Sequence, residues 1–161
     1  MLNILCGFSV NEIAAAFLSG AAAVKKRIFR AKQILAGSTA LFDLDAADVI
    51  ERLAAVQRAL YLLFNEGYHG ASPKAAVRAE LCREALQLVG LLLEHPATAT
   101  PASHALCALM CFGAARLPAK LDAAGELTSH FDQDRSQWDA GLMAQGLWHL
   151  EQSASGSELT E

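Results

Sequence analysis

Several features of other protein classes are missing from this sequence. β-Branched residues are few, and no segment alternates apolar and polar residues for long, which argues against a β-sheet. None of its four cysteines belongs to a CxxC pair, the usual mark of zinc ribbons and redox proteins. The longest apolar run, Ala105–Ala115, covers eleven residues, whereas a membrane-spanning helix needs about 20. We therefore expect neither a sheet protein nor a membrane protein.

Catalytic and cofactor-binding patterns are missing as well. The sequence has no glycine-rich phosphate loop and no nucleophile beside an acid or base, so we predict no enzyme activity and no cofactor. His104, Cys107 and Cys111 share one side of a helix, where they could form a soft-metal site. We favour small residues on a buried helix face, with reduced and packed cysteines, and predict no metal.

The composition indicates a helical protein with a hydrophobic core. Apolar residues, mainly Ala and Leu, make up 53% of the 161 residues. We predict an all-α fold, in which a helix-turn-helix head precedes a bundle of antiparallel helices. Neither a basic segment nor a signal-peptide cleavage site follows Met1, so we expect a cytoplasmic protein.

The charge distribution is strongly uneven. Residues 1–35 carry five Lys and Arg against the single carboxylate of Glu12, a net charge of +4. Residues 36–161 carry eight Lys and Arg against sixteen Asp and Glu, a net charge of −8. A short basic block on an acidic body predicts a site for a polyanion, and nucleic acid is the usual polyanion.

Local signals around the basic block predict two helices joined by a turn. Ser9 and Glu12 have the spacing of a capping box, and Gly20 supplies a turn residue. The apolar positions expected to face inward on the second helix are Val24, Ile28, Ala31 and Leu35. The cations expected to face DNA are Lys25, Lys26, Arg27, Arg30 and Lys32. The alternative interpretation is a solvated face of an ordinary surface helix.

The predicted domains are a head at 1–36, a link at 37–44, a helical extension at 45–152 and a frayed tail at 153–161. In the extension, helix-start signals occur at Asp45, Ser72-Pro73, Thr100-Pro101 and Asp134. Gly67 is the predicted stop of the first long helix. The helix after Thr100-Pro101 is apolar nearly all round, so we expect it to be central. A loop or weak hairpin is predicted at 117–131.

Several strings together resemble one family. They are SVNEIAAAFL at 9–18, RIFRAK at 27–32, LYLLFNEGY at 60–68 and DQDRSQWD at 132–139. The chain resembles the C-terminal part of an extracytoplasmic-function sigma factor of the sigma-70 class, in the group whose region 4 is followed by a long helical extension. LCREALQL at 81–88, the stretch 104–127 and WDAGLMAQG at 138–146 also resemble that extension.

The resemblance implies a role in transcription. In that family, region 4 binds the promoter −35 element through its second helix and touches the core RNA polymerase. Arg27, Arg30 and Lys32 match basic positions of that helix, whereas Lys25 and Lys26 stand where the family often has smaller or neutral residues. Gly20-Ala21 replaces a polar residue that the family often places at the turn.

The resemblance also implies missing parts. Region 2, which melts the −10 element, would precede residue 1, and further helix pairs would follow residue 161. We therefore expect an excised piece or a truncated gene product, which by itself would not start transcription. Exposed apolar surface at the truncated ends would favour self-association.

A group of polar residues near predicted helix ends has two interpretations. They are either contact or pocket residues that regulate the sigma factor, or caps and loop pairs, which we favour. The residues are Asn65, Glu66, Tyr68, Arg78, Asp132, Asp134 and Arg135, together with Asp139. We expect the remaining histidines, among them His149, to be exposed near loops or helix ends.

The leading hypothesis is thus a promoter-binding sigma-factor fragment, with promoter DNA and core RNA polymerase as partners. A second hypothesis is an interaction module whose acidic extension contacts polymerase, a regulator or the basic head. A third is a regulator that binds a ligand between its helices, with the 105–115 helix lining the cavity.

Overall fold

The computed structural model describes residues 3, 8–37, 46–69 and 77–155. These residues form six α-helices and two 3-10 turns, with one antiparallel bridge between Leu121 and Leu127, so the all-α prediction is confirmed. The helices are α1 (Val10–Ala16), α2 (Ala21–Gly37), α3 (Ala46–Tyr68), α4 (Ala79–Glu94), α5 (Pro101–Ala115) and α6 (Ala140–Ser153), and the 3-10 turns are Leu117–Ala119 and Arg135–Gln137. In the described ranges, no helix combines the length and apolarity needed to cross a bilayer.

The chain divides into two compact units, residues 1–59 and residues 60–161. Some predictions concern residues outside the described ranges and stay predictions. They include the link after Gly37, the cap Asp45 and most of the frayed tail. The predicted start of α4 at Ser72-Pro73 is wrong, because α4 begins at Ala79 and residues 77 and 78 are not helical.

In the first unit, α1 begins as predicted and the turn after it differs. The Ser9 hydroxyl accepts the Glu12 amide at 3.2 Å, and the Ser9 amide donates to the Glu12 carboxylate at 2.7 Å, so the capping box is confirmed. The left-handed residue of the turn is Leu18, with φ of 48°, and not Gly20. Gly20 lies directly before α2, and its carbonyl accepts the amides of Ala23 and Val24 in the first turn of that helix.

The predicted inward face of α2 is largely wrong. Of its four apolar positions, only Val24 is buried; Ile28 is half-buried, and Ala31 and Leu35 are exposed. The reason is the length of the packing partner: α1 has seven residues and at 1.5 Å per residue extends about 10 Å. It can therefore cover only about the first two turns of α2, and the remaining turns are exposed.

In the second unit, α5 is the central helix, as predicted, and packs against both α4 and α6. It starts where the sequence predicts, because Thr100 caps it and Pro101 is its first residue. The thiols of Cys82, Cys107 and Cys111 are free and buried, which confirms that prediction for three of the four cysteines. The fourth, Cys6, lies outside the described residues.

Gly67 does not end α3, which runs on to Tyr68. The glycine lies where α3 meets the start of α4. A Cβ atom at this position would be 2.8 Å from the Arg78 carbonyl oxygen and 2.9 Å from the Cys82 amide nitrogen. The absence of a side chain at residue 67 therefore lets the two backbones approach.

The start of the last helix is a second correction. Asp134 caps the 3-10 turn Arg135–Gln137, since it accepts the Ser136 amide at 2.9 Å. The cap of α6 is Asp139, which accepts the Leu142 amide at 2.9 Å. The amide of Asp139 donates to the Ala115 carbonyl at 2.9 Å, so a contact with the end of α5 sets the helix start.

Replacing Asp139 with alanine is expected to lower the free energy of unfolding by about 1 kcal/mol, because the α6 cap is lost. Asp139→Asn keeps an acceptor oxygen and should stay near the wild-type value. Urea denaturation followed by circular dichroism measures both. Equal costs for Asp139→Ala and Asp139→Asn would contradict the capping role.

Candidate functional site

The basic residues of α2 lie on the exposed part of that helix in the first unit. The side chains are those predicted from sequence: Lys25, Lys26, Arg27, Arg30 and Lys32, all of them exposed. Within the described residues, none of them forms an ion pair with a carboxylate. A shallow groove of about 530 Å³ lies between several of these cations and Phe29, which is 62% exposed. We call this surface the basic face.

A second concave site lies within the second unit, between α3 and α5. It has a volume of about 550 Å³, and its walls include the rings of Phe64, Tyr68 and Phe112. Asn65 and Arg116 supply polar groups at this site, and His69 lies beside Tyr68. We call it the aromatic cleft. Two of the predicted contact residues, Asn65 and Tyr68, line it.

The other predicted contact residues are placed elsewhere. Glu66 is buried and pairs with Arg78, with 3.6 Å between Oε1 and Nη2. Asp134 is a cap, and the Arg135 guanidinium lies 5.6 Å from the centre of the Trp138 ring. Asp132 is exposed. The structure therefore does not bring the seven residues together in a single site.

Lys120 is a buried cation that the sequence analysis missed. Lys120 is only 6% exposed, and its Nζ lies 3.2 Å from the centre of the Tyr68 ring. Burial, and after it the nearby positive charge of Arg116, lower the pKa of Lys120 to about 8. No local signal in RLPAKL distinguishes this lysine from an exposed one, because its burial depends on distant residues.

Arg116 was also missed, and the DQDRSQWD string explains its position. The Arg116 Nε donates to the Gln133 side-chain oxygen at 3.2 Å, and Gln133 in turn donates to the Thr128 carbonyl at 3.3 Å. The ring of Trp138 lies 5.7 Å from the Arg116 guanidinium. Gln133 and Trp138, both in the DQDRSQWD string, thus hold Arg116 at the aromatic cleft.

A histidine pair connects α5 and α6. The Nδ1 atoms of His104 and His149 are 2.9 Å apart, so one ring donates to the other. His149 lies within α6 and is half-buried, which corrects the expectation of an exposed residue at a helix end. Burial, and then His104, lower the pKa of His149. Across the described ranges, no cluster of three or more metal-ligating side chains is found.

Replacing Lys120 with methionine is expected to stabilise the second unit by about 2 kcal/mol at pH 7, because a buried cation is removed. The folded-state pKa of Lys120, about 8, lies below its ordinary value of 10.5. The unfolded chain therefore binds more protons between these values, and wild-type stability should rise with pH across that window.

The advantage of Lys120→Met should consequently shrink as the pH rises from 8 towards 10. Urea denaturation of both proteins at several pH values measures it. Lys32→Met, at an exposed position of α2, is the control and should change little. A constant advantage at all pH values would contradict the buried charge as its cause.

Comparison with known proteins places the chain in a family. A family model matches residues 52–154, more than half of the 161 residues. The chain belongs to DUF6596, a family of unknown function. It is also similar to an uncharacterized protein of Rhizobium meliloti (strain 1021), with 42% identity over 148 residues. This match covers 91% of the chain but only 34% of the relative's length. No match was found among solved structures.

Proposed function

We propose that the chain is part of a transcription initiation factor, in which α1 and α2 bind promoter DNA and the second unit is a helical regulatory extension. The observation that carries this proposal is the basic face: five exposed cations on one helix, without carboxylate partners among the described residues. The resemblance to region 4 of extracytoplasmic-function sigma factors supports it and gives the expected target, the −35 element.

The dimensions of α2 suit the major groove of DNA. A helix with its side chains is about 10–12 Å wide, and the groove is about 12 Å wide. Arginine pairs with guanine through two hydrogen bonds, so Arg27 and Arg30 are the proposed base-reading residues. The lysines would contact phosphates. The exposed ring of Phe29, on the same surface, could contact a thymine methyl group.

Net charge favours binding through this surface alone. Residues 36–161 have a net charge of −8 and would be repelled by phosphates, whereas residues 1–35 have a net charge of +4. DNA should therefore contact α2 and avoid the acidic part of the chain. Core RNA polymerase is the second proposed partner, on the basis of the resemblance.

A salt titration of duplex binding by the intact chain tests the proposal. If the three lysines each neutralise one phosphate, the logarithm of the affinity should fall against the logarithm of salt concentration with a slope of about −2.7. Fluorescence anisotropy with a labelled duplex measures this slope. A slope shallower than about −1 would overturn the proposal, because it would leave most of the basic face out of contact.

The aromatic cleft favours a second candidate function, a ligand-sensing helical module. Its 550 Å³ volume lies in the range of small-molecule sites. This candidate is compatible with the first, since the cleft and the basic face use different residues.

A further inference from the structure

The lining of the aromatic cleft differs in charge from the chain around it. Residues 36–161 contain twice as many Asp and Glu as Lys and Arg, sixteen against eight. The cleft nevertheless contains no carboxylate among its described lining residues, while Arg116 and His69 are part of it. An acidic chain that keeps carboxylates out of a concave site favours an anionic ligand there.

Among the described residues, two cations next to the cleft have no carboxylate counter-charge. In the described part of the chain, neither Arg116 nor Lys120 forms an ion pair with a carboxylate. Arg116 uses its Nε for Gln133, and its terminal nitrogens form no hydrogen bond with any described residue. Since a guanidinium binds a carboxylate through two parallel hydrogen bonds, these nitrogens are suited to one.

The two cations also act on each other. The charge of Arg116 lowers the pKa of Lys120, and both cations lower the pKa of His69 after burial. Keeping two like charges close together in a partly buried place costs free energy. An anion bound beside Arg116 would reduce that cost, which is a physical reason for the cleft to take a negative ligand.

The walls of the cleft restrict the rest of the ligand. Phe64 and Tyr68 stack with their ring centres 5.8 Å apart, and Phe112 and Leu109 form part of the facing wall on α5. Aromatic walls of this kind bind an aromatic ring most favourably, because aromatic rings pack against each other in offset or edge-on arrangements. Small inorganic anions could pair with Arg116 but would make no apolar contact with these walls.

We propose that the aromatic cleft binds a small aromatic carboxylate. The carboxylate pairs with the Arg116 guanidinium, and the aromatic ring lies against Phe64, Tyr68 and Phe112. The side-chain amide of Asn65 is a further hydrogen-bonding group in the lining. This inference is independent of DNA binding, because it concerns other residues and is tested by direct ligand binding.

Isothermal titration calorimetry of the full chain with two acids and their neutral amides tests it. The probes are phenylacetate and indole-3-acetate, paired with phenylacetamide and indole-3-acetamide. We expect dissociation constants of about 0.1–1 mM for at least one acid, as suits ligands of this size. Each amide should bind at least about 10-fold more weakly, because it cannot pair with the guanidinium.

Two variants locate the binding. Arg116→Gln removes the guanidinium and should weaken acid binding at least about 10-fold. Because Arg116 also bonds to Gln133, a second variant, Leu109→Glu, places a carboxylate in the lining at a position 50% exposed. It should weaken acid binding similarly, and should weaken it more than amide binding, because only the acid is repelled by the new carboxylate. Arg83→Gln, at an exposed position of α4, is the control and should bind like wild type.

The outcomes separate clearly. The proposal is supported if an acid binds, its amide binds more weakly, and both cleft variants lose the difference while the control keeps it. The proposal is overturned if both acids have dissociation constants above about 5 mM, which is 5-fold above the expected range. It is also overturned if the amides bind as tightly as the acids. It is also overturned if phosphate or sulfate binds as tightly as the acids, since the aromatic walls would then contribute nothing.

Discussion

Replacing Lys25, Lys26 and Arg30 with alanine is expected to weaken duplex DNA binding about 100-fold near 0.1 M salt. Lys25 and Lys26 should each neutralise one phosphate, so losing both should make the salt slope shallower by about 1.8, while the loss of Arg30 removes a base contact. All three side chains are exposed, whereas Val24 is buried, so the fold should persist. Fluorescence anisotropy at several salt concentrations measures both effects.

A matched triple variant separates the basic face from net charge. Arg52, Arg58 and Arg83 are exposed on α3 and α4, and their replacement with alanine removes the same charge. Arg52 has only a solvent-exposed pair with Asp48, at 3.8 Å, which contributes little to stability. This control should change DNA binding by less than about 10-fold. Equal losses in the two triples would show that overall charge, and not α2, determines binding.

Replacing Gly67 with alanine is expected to lower the free energy of unfolding by about 2–3 kcal/mol. The added Cβ would lie 2.8 Å from the Arg78 carbonyl oxygen and 2.9 Å from both the amide nitrogen and the Sγ of Cys82. Two of these atoms belong to the backbone, so no side-chain rotation relieves the clash. The hydrogen bond from the Arg78 amide to the Gly67 carbonyl, 2.7 Å long, holds the same contact together.

Gly90→Ala is the control, and it is expected to raise the free energy of unfolding instead of lowering it. Gly90 lies inside α4, and a Cβ atom there would meet nothing within 4 Å. Alanine should therefore stabilise the protein by about 0.5–1 kcal/mol, because glycine is unfavourable in a helix interior. Urea denaturation compares the two variants. If Gly67→Ala were as stable as Gly90→Ala, the close approach of α3 and α4 would not depend on this glycine.

The features that sequence reasoning predicted correctly depend on neighbouring residues. The capping box of Ser9 and Glu12 and the start of α5 at Thr100 and Pro101 are both confirmed. In each case the bonded groups lie three residues apart, so the pattern is visible in the sequence itself. The central place of α5 was predictable too, because a helix that is apolar nearly all round has to be buried.

The features that were missed or wrong depend on residues far apart in the chain. Asp139, not Asp134, caps α6, and its own amide is held by the carbonyl of Ala115. Gly67 looked like a helix stop, but its role comes from the approach of Arg78 and Cys82. Neither position carries a local signal of these contacts.

The candidate sites divide in the same way. The basic face could be named from sequence, since five cations within eight residues of one helix are close together whatever the rest of the chain does. The aromatic cleft could not be named from sequence, apart from Asn65 and Tyr68. Arg116 is positioned by Gln133, and Lys120 is buried against Tyr68, and the sequence does not show either contact.

The sequence by itself determined the helical class, the caps of α1 and α5 and the concentration of positive charge in α2. Only the tertiary structure decided which faces are buried, where α6 begins and which cations meet in the second unit. The physical reason is distance along the chain: capping and charge density act between residues a few positions apart, whereas burial and the pKa of Lys120 depend on side chains that folding brings together from about 50 positions away.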